Sequence, residues 1–474
     1  MTIRTHTFSN GFRVIHETPE NHMPISHVNV FCRVGSAFED DSLRGASHFI
    51  EHMCFKGTPH YPSTRDISVE YDRIGADFNA YTEKQYTCYT SKFHDVYAKH
   101  CLEILADIML HSLFNEREYK KEMNVIIEEN KRNLTNYTNT VYDIVAEMVY
   151  RGSVYAHPVD TMDFHPPTPV WKYSDVVAFY RKYYVPENIV LSIVSSLPFS
   201  TVIRFVKQTE FVQRVNRKTR AIAPILNTVP RMVYDKQTAI QIKLEPVKNI
   251  ETAYVAISFR TCSLYSEDRY GLHLLRFILG GTITSRLFTI LREENGLTYT
   301  SRVDSTYYES MGEMTFFAIT DSRKLIYACP TARTRRRGLS RSRSRSRSPS
   351  PRGGGRKKGV LPLIMDMLID IVKHGVSEKE MADTKKYIEG KRQMNLEDSE
   401  TQVSYNGLQL LLHNETEVVP YRKTYQEFYA DLTRKEIHEL IRKYIRPENM
   451  NIAMVGGNLP GENAIRKIAQ RLRA

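Results

Sequence analysis

The stretch Lys182-Tyr-Tyr-Val-Pro-Glu-Asn-Ile-Val-Leu-Ser-Ile-Val-Ser195 returns 261 residues later as Lys443-Tyr-Ile-Arg-Pro-Glu-Asn-Met-Asn-Ile-Ala-Met-Val-Gly456. Each copy reads as the end of a helix, a turn set by Pro and Asn, and an apolar strand. A second pair of segments repeats at a different offset. Phe31 to Gly45 is a strand, an acidic turn and a glycine, and so is Phe259 to Gly271, with Glu39-Asp40 answered by Glu267-Asp268 and Gly45 by Gly271, 226 residues on. The two offsets differ by 35 residues, so an insertion of about that size lies in the second copy. The chain is therefore read as a duplicated domain with one inserted segment.

Within each copy strand-like and helical patterns mix. Val28–Val34 and Tyr254–Phe259 read as strands, and Phe78–Tyr81 with Tyr86–Ser91 as an antiparallel pair joined by a short turn. Val96–Leu110 reads as a helix. Asn115–Arg151 reads as one long helix, with Asn115 as its N-cap and Glu118 three residues on. The fold class expected is α+β: two tandem homologous domains, each an antiparallel-rich sheet with helices covering one face. The first domain is expected over 1–213 and the second over 232–474, joined by a polar, proline-containing linker at 214–231.

The inserted segment explains the charge. Formal net charge is +12, yet residues 333–358 alone hold twelve Arg and Lys and no Asp or Glu, so the body of the chain is neutral. This argues against nucleic-acid binding as the main function of the body. The tract, bounded at 331–359, alternates Ser and Arg strictly from Ser340 to Ser348, then runs through Pro349 to Arg352 into three glycines. Such composition cannot bury a core and is expected to be disordered. It resembles the Arg/Ser domains of splicing factors. RNA or another anionic partner, nuclear retention and phosphorylation are its functional readings; a tolerated loop insertion is its neutral one. Six cysteines (Cys32, Cys54, Cys88, Cys101, Cys262 and Cys329) show no ribbon or redox spacing and are expected as buried free thiols. No apolar run is read as long enough to span a membrane, and Met1–Asn10 has neither signal-peptide nor presequence character. A cytoplasmic location is expected, or a nuclear one through the Arg/Ser tract.

His48, Glu51 and His52 stand at i, i+3 and i+4 of a helical stretch beginning near Gly45, which places them on one face. Two imidazoles one turn apart can grip a zinc ion, and a neighbouring carboxylate can take a proton from water. The order His-x-x-Glu-His is the inverse of the commoner zincin order. A third ligand is required. Glu122 and Glu129, seven residues apart, share a face of the long helix; Glu128 faces elsewhere, and a solvated face paired with Lys120, Lys121 and Lys131 is the alternative reading of these acids.

Around this motif the sequence resembles the M16 metallopeptidases, the group of insulin-degrading enzyme, pitrilysin and the mitochondrial processing peptidases, most of all the short two-domain branch of bacterial or large-DNA-virus type. Gly35-Ser-Ala-Phe-Glu39 precedes Gly45-Ala-Ser-His-Phe-Ile-Glu-His-Met53. Phe55-Lys-Gly-Thr58, Gly75-Ala-Asp-Phe-Asn-Ala-Tyr-Thr82 and Glu122 to Glu129 follow in order. The second half matches at Ser285-Arg-Leu-Phe288 and Arg292-Glu-Glu-Asn-Gly-Leu-Thr-Tyr299. The resemblance implies a zinc endopeptidase with one Zn2+ per chain. It implies His48, His52 and Glu129 as ligands, Glu51 as general base, and Glu122 as the carboxylate orienting a ligand. It further implies Asn79 and Ala80 as the edge strand that receives substrate, and Arg292 and Tyr299 as the pair facing the substrate carbonyl. Peptides or unfolded segments would be substrates, and a homodimer or a heterodimer with a similar subunit the assembly. In the second copy Leu274, Phe277 and Ile278 stand where His48, Glu51 and His52 stand in the first, so only one site is expected. A catalytically silent scaffold, or an RNA-associated protein acting through the Arg/Ser tract, are the alternatives.

Overall fold

The Pro-Glu-Asn turn plays the same part in both copies. In the computed structural model, which describes residues 3–21, 23–160, 171–213, 236–328, 357–413 and 418–473, each turn is one turn of 3-10 helix feeding a buried strand. The Asn188 amide donates to the carbonyls of Tyr183 (2.9 Å) and Arg33 (3.2 Å). The Asn449 amide donates to those of Tyr444 (2.8 Å) and Arg260 (2.7 Å). One side chain thus ties the helix end to the neighbouring strand, satisfying carbonyls the helix leaves open.

The first sheet contains β1 (Ile3–Thr7), β2 (Arg13–Glu17), β3 (Ile25–Cys32), β4 (Asp77–Thr82), β5 (Thr87–His94) and β6 (Ile189–Val194), in the order β1-β2-β6-β3-β5-β4. The second contains β7 (Gln241–Pro246), β8 (Thr252–Thr261), β9 (Thr298–Tyr307), β10 (Gly312–Asp321) and β11 (Met450–Gly456), in the order β7-β11-β8-β10-β9. Removing β1 makes the two orders identical. Only the β2/β6 and β7/β11 pairs are parallel. The duplicated α+β architecture read from the sequence is the one observed.

The expectation that helices cover one face of each sheet is corrected. β6 and β11 are buried at every residue, and β3 at all but its first. Continuous burial requires cover on both faces. The second face is covered by the other half of the chain. Helix Tyr137–Val149, from the first half, lays Val141, Val145 and Val149 on Ala256, Phe317, Ala453 and Val455 of the second sheet. Helix Ser399–Leu408, from the second half, lies across β3 and β6 of the first. At Gly407 the approach is so close that an added Cβ would stand 2.3 Å from the Phe31 ring. The first contact is apolar, each fully buried Val contributing roughly 1.5–3 kcal/mol. The second adds polar bonds to an apolar patch of Ile15, Phe31 and Val190: Asn29 donates to Ser404 (2.9 Å), Asn406 to Glu17 (2.6 Å), Arg13 to the Leu410 carbonyl (2.9 Å), and His27 meets Ser399 (3.1 Å). Arg33, itself buried, pairs with Glu309 across the same boundary.

Three further expectations change. The long helix read over Asn115–Arg151 is two helices, Glu116–Asn133 and Tyr137–Val149. The chain leaves the first at Leu134, and Asn136 caps the second by accepting from Thr138 and Asn139 N–H. The break lets the second helix turn away to the other sheet. The stretch Asp268–Glu294 does have the length and apolarity of a membrane-crossing helix, contrary to the sequence reading. It leaves helical geometry at 282–285, and Leu272, Leu274, Leu275, Leu279, Leu287 and Leu291 lie in the core of the second domain. The linker at 214–231 lies outside the described residues, as does most of the Arg/Ser tract. The last three residues of the tract as bounded, 357–359, are described, and they pair with the chain at 326–328. Lys358 bridges Tyr327, Ala328 N–H donates to the Lys357 carbonyl (2.9 Å), and Gly359 N–H to that of Ile326 (2.8 Å). Five cysteines, Cys32, Cys54, Cys88, Cys101 and Cys262, are free and buried.

Because Ala328 and Lys357 are already in contact, a short turn can join them. Replacing residues 330–355 with three glycines is expected to leave the melting temperature within a few degrees and the zinc content unchanged. Calorimetry and metal analysis check this. A second prediction concerns the polar contact between the halves. Burial, with the positive charge of Lys92, lowers the His27 pKa to about 4. A folded pKa below the unfolded one gives stability that is whole above about 6.5 and lost as pH falls from there toward 4. At pH 5 this group should account for about 2 kcal/mol of destabilisation relative to pH 7.5. His27→Gln should remove that part of the difference in urea unfolding at the two pH values.

Candidate metal centre

Helix Ala46–Cys54 begins at Gly45, which has φ +84° and so sits in the left-handed region that glycine tolerates. The buried Glu39 side chain caps this start, its two oxygens accepting from Gly45 N–H (2.7 Å) and Ser47 N–H (2.7 Å). Burial raises its carboxyl to about 7, against the pull of those two bonds. Phe49, Ile50 and Met53 anchor the helix in the first core, and His48 and His52 emerge on the opposite side.

The two imidazoles stand nearly perpendicular, ring centroids 4.7 Å apart, with their Nε2 atoms 3.2 Å from each other. Each Nδ1 faces a carboxylate. His52 Nδ1 is 2.8 Å from Glu122 Oε1, and His48 Nδ1 is 3.4 Å from Asp160 Oδ1. A carboxylate beside each Nδ1 favours the tautomer that carries its proton there, which leaves each Nε2 a lone pair, and the two Nε2 atoms converge. Nitrogens bound at 2.0–2.1 Å to one tetrahedral ion lie roughly 3.3 Å apart, so the spacing suits zinc. Glu129 Oε2 is 3.8 Å from His52 Nε2 and completes the group, whose ligand atoms all lie within 4.8 Å of one another. Among the described residues His48, His52 and Glu129 form the single such group. The residues present therefore fit a zinc ion.

Glu128 points outward to Lys131 (2.6 Å), as the seven-residue step from Glu122 requires. Glu122 is buried, and its second oxygen receives Lys56 Nζ at 2.6 Å. Burial alone would raise the Glu122 carboxyl, but the bonds from His52 and Lys56 bring it below the usual range. His52 shows the counterpart. Burial pushes it down, and Glu122 with the charges of Glu51 and Glu129 outweighs that and raises it. Glu51 lies buried beside the histidines, its Oε2 accepting from Thr82 Oγ1 (2.6 Å). Burial raises its carboxyl, and the threonine bond opposes this.

Asn79 and Ala80 lie on β4, the edge of the first sheet nearest this helix; Ala80 N–H donates to the Asn79 side-chain oxygen (2.9 Å). Thr82 at the end of β4 and Asp160 also line a crevice of about 640 Å3 between the halves, with Lys84, Asn133, Asp143 and Arg302 among its walls. Arg292 and Tyr299 are brought together but elsewhere. The Arg292 guanidinium lies 4.8 Å from the Tyr299 ring and donates to the Tyr299 carbonyl (3.0 Å), and Tyr299 is 81% exposed. Among the described residues neither touches His48, Glu51, His52 or Glu129. In the second copy, Leu274 and Ile278 are buried in the core where the first copy has its histidines.

Sequence reasoning passed over three residues: Lys56, Thr82 and Asp160. The first two sit inside segments already singled out, Phe55 to Thr58 and Gly75 to Thr82, whose polar members had no role. Asp160 has no local signal, because it reaches His48 from more than a hundred residues away.

A duplicated α+β chain carrying this donor set in its first half alone defines a class with asymmetric halves, and the comparisons agree. Residues 14–161 match the family model described as insulinase (peptidase family M16), and residues 171–328 the one described as peptidase M16 inactive domain. The chain belongs to peptidase family M16. An uncharacterized zinc protease of Bacillus subtilis, YmxG, is 26% identical over 462 residues, 97% of this chain and 100% of the relative. An uncharacterized zinc protease of Mycobacterium tuberculosis is 25% identical over 453 residues, 93% of this chain and 91% of the relative. In fold, a protease from Helicobacter pylori superposes with a TM-score of 0.80 at 19% identity, over 96% of this chain and 99% of that one. The periplasmic protease PqqL from Escherichia coli superposes with a TM-score of 0.74 at 16% identity, over 99% of this chain and 50% of PqqL.

Glu129→Ala is expected to strip the bound zinc and Glu128→Ala to leave it, because only Glu129 faces the histidines. Metal analysis of the two purified variants decides the assignment, and the reverse pattern would overturn it.

Proposed function

We propose that this chain is a zinc-dependent endopeptidase acting on peptides or unfolded segments. The observation that carries the reading is the convergence of the His48 and His52 Nε2 atoms toward Glu129, with the Glu51 carboxylate held beside them by Thr82. His48, His52 and Glu129 hold one ion per chain, and Glu122 orients His52. The ion supplies Lewis-acid activation of water and of the peptide carbonyl. Glu51 accepts the proton released as water attacks and delivers it to the leaving nitrogen; its raised affinity for a proton suits that exchange. β4 receives the substrate as an added strand, its Asn79 and Ala80 backbone supplying register without reading most side chains.

Arg292 and Tyr299 belong to this chemistry only if they come from a second chain. They are donors suited to a carbonyl oxygen that gains charge. Their distance from the histidines in one chain, their exposure, and the superposition of this chain on half of PqqL support a two-chain assembly with shared sites. A homodimer would hold two equivalent sites about a two-fold axis.

Glu51→Gln should keep its zinc and lose at least 10²-fold in peptide hydrolysis. Tyr299→Phe should also be impaired. Mixing the two under conditions of proven subunit exchange should restore roughly a quarter of wild-type activity, since half the dimers are mixed and each has one intact site. A mixture as inactive as its components would rule out shared sites.

A further inference from the structure

The segment Phe55-Lys56-Gly57-Thr58 has no part in the chemistry above, yet Lys56 reaches into it. Its Nζ is 2.6 Å from Glu122 Oε2, while Glu122 Oε1 meets His52 Nδ1 at 2.8 Å. Glu122 is 4% exposed, and Lys56 is the one Lys or Arg paired with it among the described residues. Carboxylates outnumber cations here: Glu51, Glu122, Glu129 and Asp160 surround the two histidines, against Arg132 at Glu129 (3.6 Å) and Lys56 at Glu122. Of the two cations only Lys56 pairs with the carboxylate that holds His52. It also acts by geometry. A carboxylate held at one oxygen by a lysine cannot rotate that oxygen toward the ion, so the other stays aimed at His52 Nδ1. Lys56 stands two residues past the helix end, in the turn after Phe55, where its N–H donates to the Met53 carbonyl (3.1 Å).

We infer that Lys56 is a positioning residue of the metal centre, acting through Glu122 to hold His52 in its ligating orientation and to balance the charge of the site. The inference rests on the reading of His48, His52 and Glu129 as zinc ligands. Lys56 touches neither the ion nor the substrate, so its effect should fall on metal affinity. Removing an outer partner of a ligating histidine typically costs 10- to 100-fold in affinity.

The test is zinc affinity of the full chain, measured by competition with a chromophoric chelator. Lys56→Met should weaken zinc by about 10-fold or more. Lys56→Arg, which keeps the charge and can still reach Glu122, should recover most of it. The melting temperature of the zinc-free Lys56→Met chain should match that of the zinc-free wild type, since the lysine is partly exposed. The deciding measurement is the double variant. If Lys56 acts through Glu122, adding Lys56→Met to Glu122→Gln should weaken zinc by less than about 2-fold further. Unchanged zinc affinity in Lys56→Met overturns the inference while leaving the ligand assignment intact. So does a full additional loss in the double variant, which would mean Lys56 acts independently of Glu122. A wild-type chain that binds no zinc overturns the ligand assignment and this inference together.

Discussion

A single buried carboxylate joins the two helices on which the site depends. Glu122 comes from the helix Glu116–Asn133 and accepts from His52 on the helix Ala46–Cys54. An unpaired carboxylate in that position would lose its hydration and recover nothing. Paired, it joins the Phe49–Tyr119 ring contact (4.7 Å) in packing one helix on the other, favours the His52 tautomer with its proton on Nδ1, and leaves Glu129, two turns further along, opposite the other nitrogen.

The second organising constraint is the reciprocal cover of the sheets. Each half supplies one helix to the other, so the crevice beside the histidines has walls from both halves, Arg302 from the second and Thr82 and Asp143 from the first. The two contacts differ in chemistry. Helix Tyr137–Val149 is held by methyl groups, whereas helix Ser399–Leu408 is held by amides, hydroxyls, an imidazole and a buried carboxylate. Buried polar groups discriminate sharply between matched and mismatched partners, because each unmet group is costly. The polar bonds of the second contact therefore help fix its register.

Much of this was legible in the sequence where the signal is local. His48, Glu51 and His52 follow from helical spacing, the preference for Glu129 over Glu128 from a seven-residue step, and the duplication from the Pro-Glu-Asn repeat. What was missed is long-range. The break at Leu134 to Asn136 is short and lacks glycine or proline, so the pattern reads on as one helix. The cover on the second face of each sheet was also missed, because β3 mixes His27 and Asn29 with apolar residues and so reads as a strand with one wet face. Asp160 comes near His48 through the packing of the first half, where Asn133 donates to it (3.1 Å) from the end of the helix that carries Glu129. Arg292 and Tyr299 carry no signal of their own; their reading came from resemblance alone.

The exchange of helices also has a consequence in time. The first sheet is complete once β6 has been synthesised, but the helix that covers its second face follows about 200 residues later. At roughly 5–20 residues per second, a ribosome leaves that face open for some tens of seconds. The face intersperses the apolar Ile15, Phe31 and Val190 with the polar Arg13, Glu17, His27 and Asn29. In the finished molecule these polar groups are buried and must be matched one by one; on the nascent chain the same groups are hydrated, and they keep an uncovered sheet from recruiting the wrong partner while the rest of the protein is still being made.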